Sequence, residues 1–390
     1  MTNHARAVAL TSVLSLAAFT VSSCAQQEST PVEETTPEEV AELRERGEVA
    51  EFQVLAEQGD ALAQYNLGVM YATAEGVPQD DGEAARWFRL AADQGFADAQ
   101  HNLAVLYTNG TGVPQDDAEA LRWYRLAADQ GLGTSQYNLG FMYDTGLGVP
   151  QDDAEAARWY RLAADQGFAN AQFNLGYAYG TGEGVPQDDG EAARWYRLAA
   201  DQGFANAQYE VGVWYANGIG VPQDDGEAAR WYRLSADQGF APAQYNVGVL
   251  YTNGTDVPQD DAEALRWYRL AADQGFANAQ HNLGASYSFG TGVGVDDAEA
   301  VRWYRLAADQ GFATSQHSLG VAYGGGFGVP VDLAQAHMWL DLAASQSSGE
   351  VRDEVMRLRD TVAGRMTPDQ ITEAQRLARE WDAAHPREPF

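Results

Sequence analysis

Residues 60–95 read "DALAQYNLGVMYATAEGVPQDDGEAARWFRLAADQG", and most letters of that stretch return 36 residues later. Trp87, Trp123, Trp159, Trp195, Trp231, Trp267, Trp303 and Trp339 keep the step without insertion or deletion, and so do the glutamines from Gln64 to Gln316. A fixed period of this length marks a repeat array, in which each unit buries its apolar face only against its neighbours. Eight copies occupy residues 57–344.

Each unit divides into two helical halves. In the first, Ala63, Leu67 and Tyr71 fall at i, i+4 and i+8, the spacing of one helix face. Gly68 sits beside them. A mid-helix glycine costs about 1 kcal/mol against alanine, so its return at 140, 176, 212, 248, 284 and 320 implies close backbone approach of a neighbouring helix. In the second half, Ala84, Trp87, Phe88 and Ala91 form an apolar stripe, while Glu83, Arg86, Arg89 and Asp93 lie opposite at pairing distance. Gly95 ends that helix.

With both halves in view, the unit resembles the Sel-one-like repeat (SLR), a relative of the tetratricopeptide repeat, over nearly three quarters of the chain. The resemblance implies an all-α fold: a right-handed α/α solenoid (superhelix) of eight 36-residue helix-turn-helix repeats, its first helices lining a concave face. A capping helix is expected over 38–56, where "FQVLAEQGD" echoes the repeat, and capping helices over 345–390. There Thr367-Pro368-Asp369-Gln370 carries a capping-box signature.

The start of the chain is of another kind. "MTNHARAVALTSVLSLAAFTVSSC" has a basic residue, an apolar run and small residues before its one cysteine, the layout of a signal peptide over 1–23. Val21-Ser22-Ser23-Cys24 resembles the lipobox of bacterial lipoproteins. That resemblance implies lipidation of Cys24, membrane attachment through the lipid, and an outer-membrane protein facing the periplasm; without lipidation the chain would be secreted. Residues 24–37 read as a flexible acidic linker. The formal net charge is −32 and every basic residue is arginine. So negative a chain repels phosphate backbones, which argues against a nucleic-acid partner.

The paired acids of "GVPQDD" at 76–81 raise the question of a metal. Calcium needs several oxygens converging on one point, whereas adjacent side chains followed by a helix diverge. Helix capping by the first Asp, with the second favouring the positive helix end, is the expected role. "GTGVGVDD" at 290–297 loosely resembles a calcium-binding nonapeptide but occurs once. The tryptophans lie on the apolar stripe and are expected in the core. His101, His281 and His317 take a position held elsewhere by Tyr65, Tyr137 or Phe173, and are expected as aromatic substitutes. No catalytic spacing emerges, and no metal or cofactor is expected.

A row of amides remains. Asn66, Asn102, Asn138, Asn174, Asn246 and Asn282 recur just before the Leu/Val-Gly pair, broken by Glu210 and Ser318. In tetratricopeptide relatives such first-helix asparagines clamp peptide backbone, and an amide both donates and accepts; the other role open to them is bonding within their own unit. Variable neighbours, Tyr177 and Trp214 among them, are where specificity would lie. The reading is a non-catalytic scaffold binding protein or peptide on its concave face. The alternatives are a cell-wall-related enzyme, acting on β-lactams or peptidoglycan, and a calcium-dependent surface protein.

Overall fold

The computed structural model describes residues 49–385. The expected signal peptide, Cys24, the acidic linker and residues 38–48 of the first capping helix lie outside the described residues. The chain divides into two compact units, 1–151 and 152–390. In the first, the helices are α1 (Val49–Glu57), α2 (Ala61–Thr73), α3 (Asp81–Asp93), α4 (Ala97–Asn109), α5 (Asp117–Asp129) and α6 (Gly133–Thr145). The second holds α7 (Asp153–Asp165), α8 (Ala169–Thr181), α9 (Asp189–Asp201), α10 (Ala205–Asn217), α11 (Asp225–Asp237), α12 (Ala241–Asn253) and α13 (Asp261–Asp273). It continues with α14 (Ala277–Phe289), α15 (Asp297–Asp309), α16 (Ala313–Gly325), α17 (Leu333–Gln346), α18 (Gly349–Ala363) and α19 (Pro368–Ala384). Within each unit each helix packs on the next as far as α18, and α19 packs back on α17. The described residues are all-helical, and the pairs stack as an α/α solenoid.

The recurring "PQDD" starts the second helix of each pair. Asp188 sits in extended backbone before α9 and accepts from the Glu191 N–H at 3.0 Å; Asp80, Asp116, Asp152, Asp224, Asp260, Asp296 and Asp332 do the same for their helices. Asp189 follows as the first helical residue, near the positive end. Asp188→Ala is therefore expected to cost about 1 kcal/mol of stability, read as a lower urea midpoint with an unchanged slope.

The glycine of the preceding loop has a different reason. At Gly184 φ is +72°, and an added Cβ would stand 2.0 Å from the Asp153 carbonyl oxygen of the preceding repeat. Gly220, Gly292 and Gly328 meet Asp189, Asp261 and Asp297 in the same way, so the loop of one repeat rests on the helix start of the one before. Asp256 breaks the pattern with a side chain at φ 56°. Asp256→Gly is expected to raise stability by about 1 kcal/mol, since the left-handed region disfavours any Cβ; calorimetry of the variant checks this.

The mid-helix glycines correct the sequence reading in part. The nearest atoms are side chains of the second helix, an aromatic ring at Gly68, Gly176, Gly212, Gly248 and Gly284 and Leu340 at Gly320. Backbone comes close only at Gly284 and Gly320, where the Ala300 and Ala336 carbonyl oxygens would lie 3.2 and 3.3 Å from a Cβ. A Cβ on Gly176 would lie 2.9 Å from the Tyr196 ring, and one on Gly248 would lie 2.6 Å from Tyr268. All eight periodic tryptophans are buried, from Trp123 at 2% to Trp267 at 9% exposed. Those from Trp87 to Trp303 each carry at least one guanidinium group over the ring, and Trp195 carries two: Arg194 lies 4.4 Å and Arg161 5.2 Å from its ring. The opposite charges pair as Glu83–Arg86 does, whereas Arg89 turns to the Tyr107 hydroxyl of the next repeat.

The buried glutamines connect the stack. Gln208 Nε2 donates to the Ala200 carbonyl at 3.2 Å, and Gln208 Oε1 accepts from Gln238 Nε2 at 2.7 Å. The same pair of bonds recurs at Gln244 and Gln280. A buried amide satisfied on both atoms fixes register between repeats. At the far end Met338, Trp339 and Leu342 of α17 pack with Ala378, Leu377 and Trp381 of α19, which begins with the Thr367–Gln370 capping box.

Candidate recognition face of the first helices

The first helix of each pair (α2, α4, α6, α8, α10, α12, α14 and α16) carries the asparagine row. None of the eight contains Lys or Arg, and their acids are Asp98, Asp144 and Glu210. Asn66 is buried and donates through Nδ2 to the Leu62 carbonyl of its own helix at 2.7 Å. The other five are half-buried. Asn138 bonds to the Tyr124 hydroxyl, Asn282 to Tyr268, and Asn246 to both Tyr209 and Tyr232. Each of these tyrosines belongs to the repeat before, so the amide bridges repeats while part of it stays in reach of solvent. Burial raises these phenols, Tyr124 up to about 12.

Tyr177 is half-buried on α8, beside a core cluster of Phe173, Tyr196 and Trp214. Trp214 lies inside: it is 8% exposed and packs edge-on against Tyr196 at 5.6 Å between centroids. Gly180 and Gly220 make its space, since Cβ atoms there would fall 3.3 and 3.0 Å from its ring. The indole forms one wall of a cavity of about 230 Å³, together with Arg194, Tyr196, Arg197 and Tyr215. Both guanidinium groups are already engaged, Arg194 with Glu191 and Arg197 with Asp201.

Glu210 occupies the asparagine place on α10. Burial pushes its carboxyl up to about 7, and Tyr196, Tyr209 and Tyr232 stand within electrostatic reach. The break in the row was visible in the sequence; the ring of phenols around it was not, because they come from α9, α10 and α11.

His101 is among the aromatics, 5.5 Å from the Tyr124 ring, with Nδ1 2.9 Å from Ser135 Oγ; burial lowers it to about 4. His281 has the same setting beside Tyr304 and Ser315, and it and His317 are also lowered by burial. Among the described residues no three His, Cys, Asp or Glu side chains are grouped to hold a metal ion, and no helix is long and apolar enough to cross a membrane. Asp296 of the nonapeptide-like stretch caps α15.

Comparison with known proteins agrees with this architecture. The Sel1 repeat model matches eight consecutive segments, 61–96, 97–132, 133–168, 169–204, 205–240, 241–276, 277–312 and 313–348. A Sel1 repeat protein from Oxalobacter formigenes is 34% identical with a TM-score of 0.63, over 86% of this chain and 97% of that one. The c5321 protein of uropathogenic Escherichia coli strains, described as a protective antigen displaying an SLR fold, is 30% identical with a TM-score of 0.57, over 87% of this chain and 90% of that one. No curated protein matches. With the repeat model covering well over half of the sequence, the chain belongs to the Sel1-repeat family.

Proposed function

We propose that this scaffold binds a peptide or protein segment along a concave face lined by the first helices, with Asn102, Asn138, Asn174, Asn246 and Asn282 contacting the bound backbone. The observation that carries this is the contrast between two sets of positions. The tryptophans and glutamines are constant and buried, whereas one half-buried first-helix position, Val69, Val105, Val213 and Val249 in other repeats, changes to Phe141, Tyr177 and Ala285. A uniform frame with varied accessible side chains suits selective binding. Fold alone does not fix function, so the reading rests on those side chains.

Peptide display against the purified chain tests it. Selected peptides are expected to lose about tenfold or more in affinity to Tyr177→Ala and Asn174→Ala, measured at a temperature where circular dichroism shows both variants still folded. Recovery of no peptide would oppose the reading.

Attachment through a lipid on Cys24, in the outer membrane and facing the periplasm, belongs to the same proposal and rests on the Val21–Cys24 resemblance. Cys24→Ser is expected to move the protein from the membrane fraction to the soluble one. Unchanged membrane retention would count against the anchor.

A further inference from the structure

We propose that Glu210 is the receptor for a basic side chain, lysine or arginine, of the bound peptide. This rests on the first-helix face being the peptide site and adds the chemistry of one position on it. In the repeats around it the corresponding place holds a neutral amide that bonds to a tyrosine hydroxyl of the preceding repeat, as Asn138 does to Tyr124 and Asn282 to Tyr268. Those hydroxyls also have a second partner, Thr108 and Thr252. At Tyr196 both partners have changed: Gly180 stands where the threonine was, and Glu210 where the asparagine was.

A carboxylate accepts and does not donate, and among the described residues no hydrogen bond or ion pair engages it. The first helices bring no cation. The arginines of the flanking second helices are committed elsewhere: Arg194 to Glu191, Arg197 to Asp201 and the Trp231 ring, Arg230 to Glu227, and Arg233 to Tyr251 and the Trp267 ring. The groups within electrostatic reach of Glu210 are phenols: Tyr196 from α9, Tyr209 from α10 itself and Tyr232 from α11. Burial raises all three, so they stay neutral through the physiological range.

An acid without a counter-ion, half-buried among aromatic rings, is electrostatically incomplete. A cation from outside completes it, with tyrosine faces adding cation–π attraction. The surrounding chain, at a net charge of −32, steers a basic segment toward it.

The test is a display selection run in parallel on the full chain, on Glu210→Gln and on Glu210→Asn, the last restoring the amide of the neighbouring repeats. Wild-type binders are expected to carry Arg or Lys at one fixed position. Their affinity should fall about 10- to 100-fold for either variant, and by a similar factor when that residue of the peptide is changed to glutamine, with the two losses not additive. Carbon-detected titration of Glu210 should show its pKa falling by about one unit or more in the complex. Binders of equal affinity for all three proteins, with no basic preference, would overturn the assignment while leaving the first-helix face as a peptide site. Failure of every chain to select peptides would overturn both.

Discussion

Trp195→Ala is expected to destabilise the chain by about 3–5 kcal/mol, the cost of emptying a buried aromatic site. The indole is 3% exposed, donates from Nε1 to Glu191 Oε2 at 3.2 Å, and lies between Arg161 and Arg194. Truncation removes the ring and leaves the two guanidinium groups without their aromatic surface. Because each repeat is stabilised by its neighbours, loss of hydrogen-exchange protection should centre on α9 and spread to α8 and α10. Denaturant unfolding with exchange mass spectrometry measures both. An unchanged unfolding curve accompanied by lost peptide binding would instead place this tryptophan on the recognition surface.

The second large effect depends on pH. Glu210 has its carboxyl raised to about 7 by burial, against an ordinary value of 4.5. Below about pH 4.5 both folded and unfolded chains hold the proton, so the group contributes nothing to stability. Between 4.5 and 7 the unfolded chain has released a proton that the folded chain still holds, and stability falls as pH rises. Above 7 the whole penalty is present, about 3 kcal/mol. His101, His281 and His317 act with the opposite sign, since burial lowers them and their contribution is lost as pH falls below 6.5. The informative quantity is therefore the difference between wild type and Glu210→Gln. That difference should be near zero at pH 4.5 and should favour the variant by about 3 kcal/mol at pH 8. A difference that does not change with pH would mean the carboxyl is solvated.

The fold and the helix starts were legible because they depend on short-range order. Period, apolar stripe, N-cap aspartates and the Thr367 capping box are all written within one unit, and local geometry decides them. What depends on packing between helices was not legible. Gly176 looked like a backbone contact, but spacing does not distinguish a neighbour's backbone from the Tyr196 ring that occupies the space. The glutamine row was plain as a period, yet its bonds to Ala200 and Gln238 join residues 8 and 30 places apart. Arg89 was expected to pair along its own helix and instead reaches the Tyr107 hydroxyl, 18 residues on.

The candidate site divides along the same line. Asn66 bonds to its own helix, within its own unit, whereas Asn138, Asn246 and Asn282 reach tyrosines contributed by the previous repeat. Trp214 varies in sequence as a specificity position would, but Gly180 and Gly220 give it room to turn inward. Glu210 appeared as a break in a row; its surroundings needed three helices to be seen together.

The central claim is that partners are held by the first helices. A photo-crosslinking residue placed in living cells at position 141, 177 or 285 on the first helices, or at 126, 198 or 306 on the exposed side of the second helices, tests it directly. Leu126, Leu198 and Leu306 are 40, 38 and 41% exposed, so they provide an accessible control surface. The expected result is a discrete crosslinked species from the first-helix positions and none from the second. The same species arising from 126, 198 and 306, with the first-helix positions silent, would contradict the account.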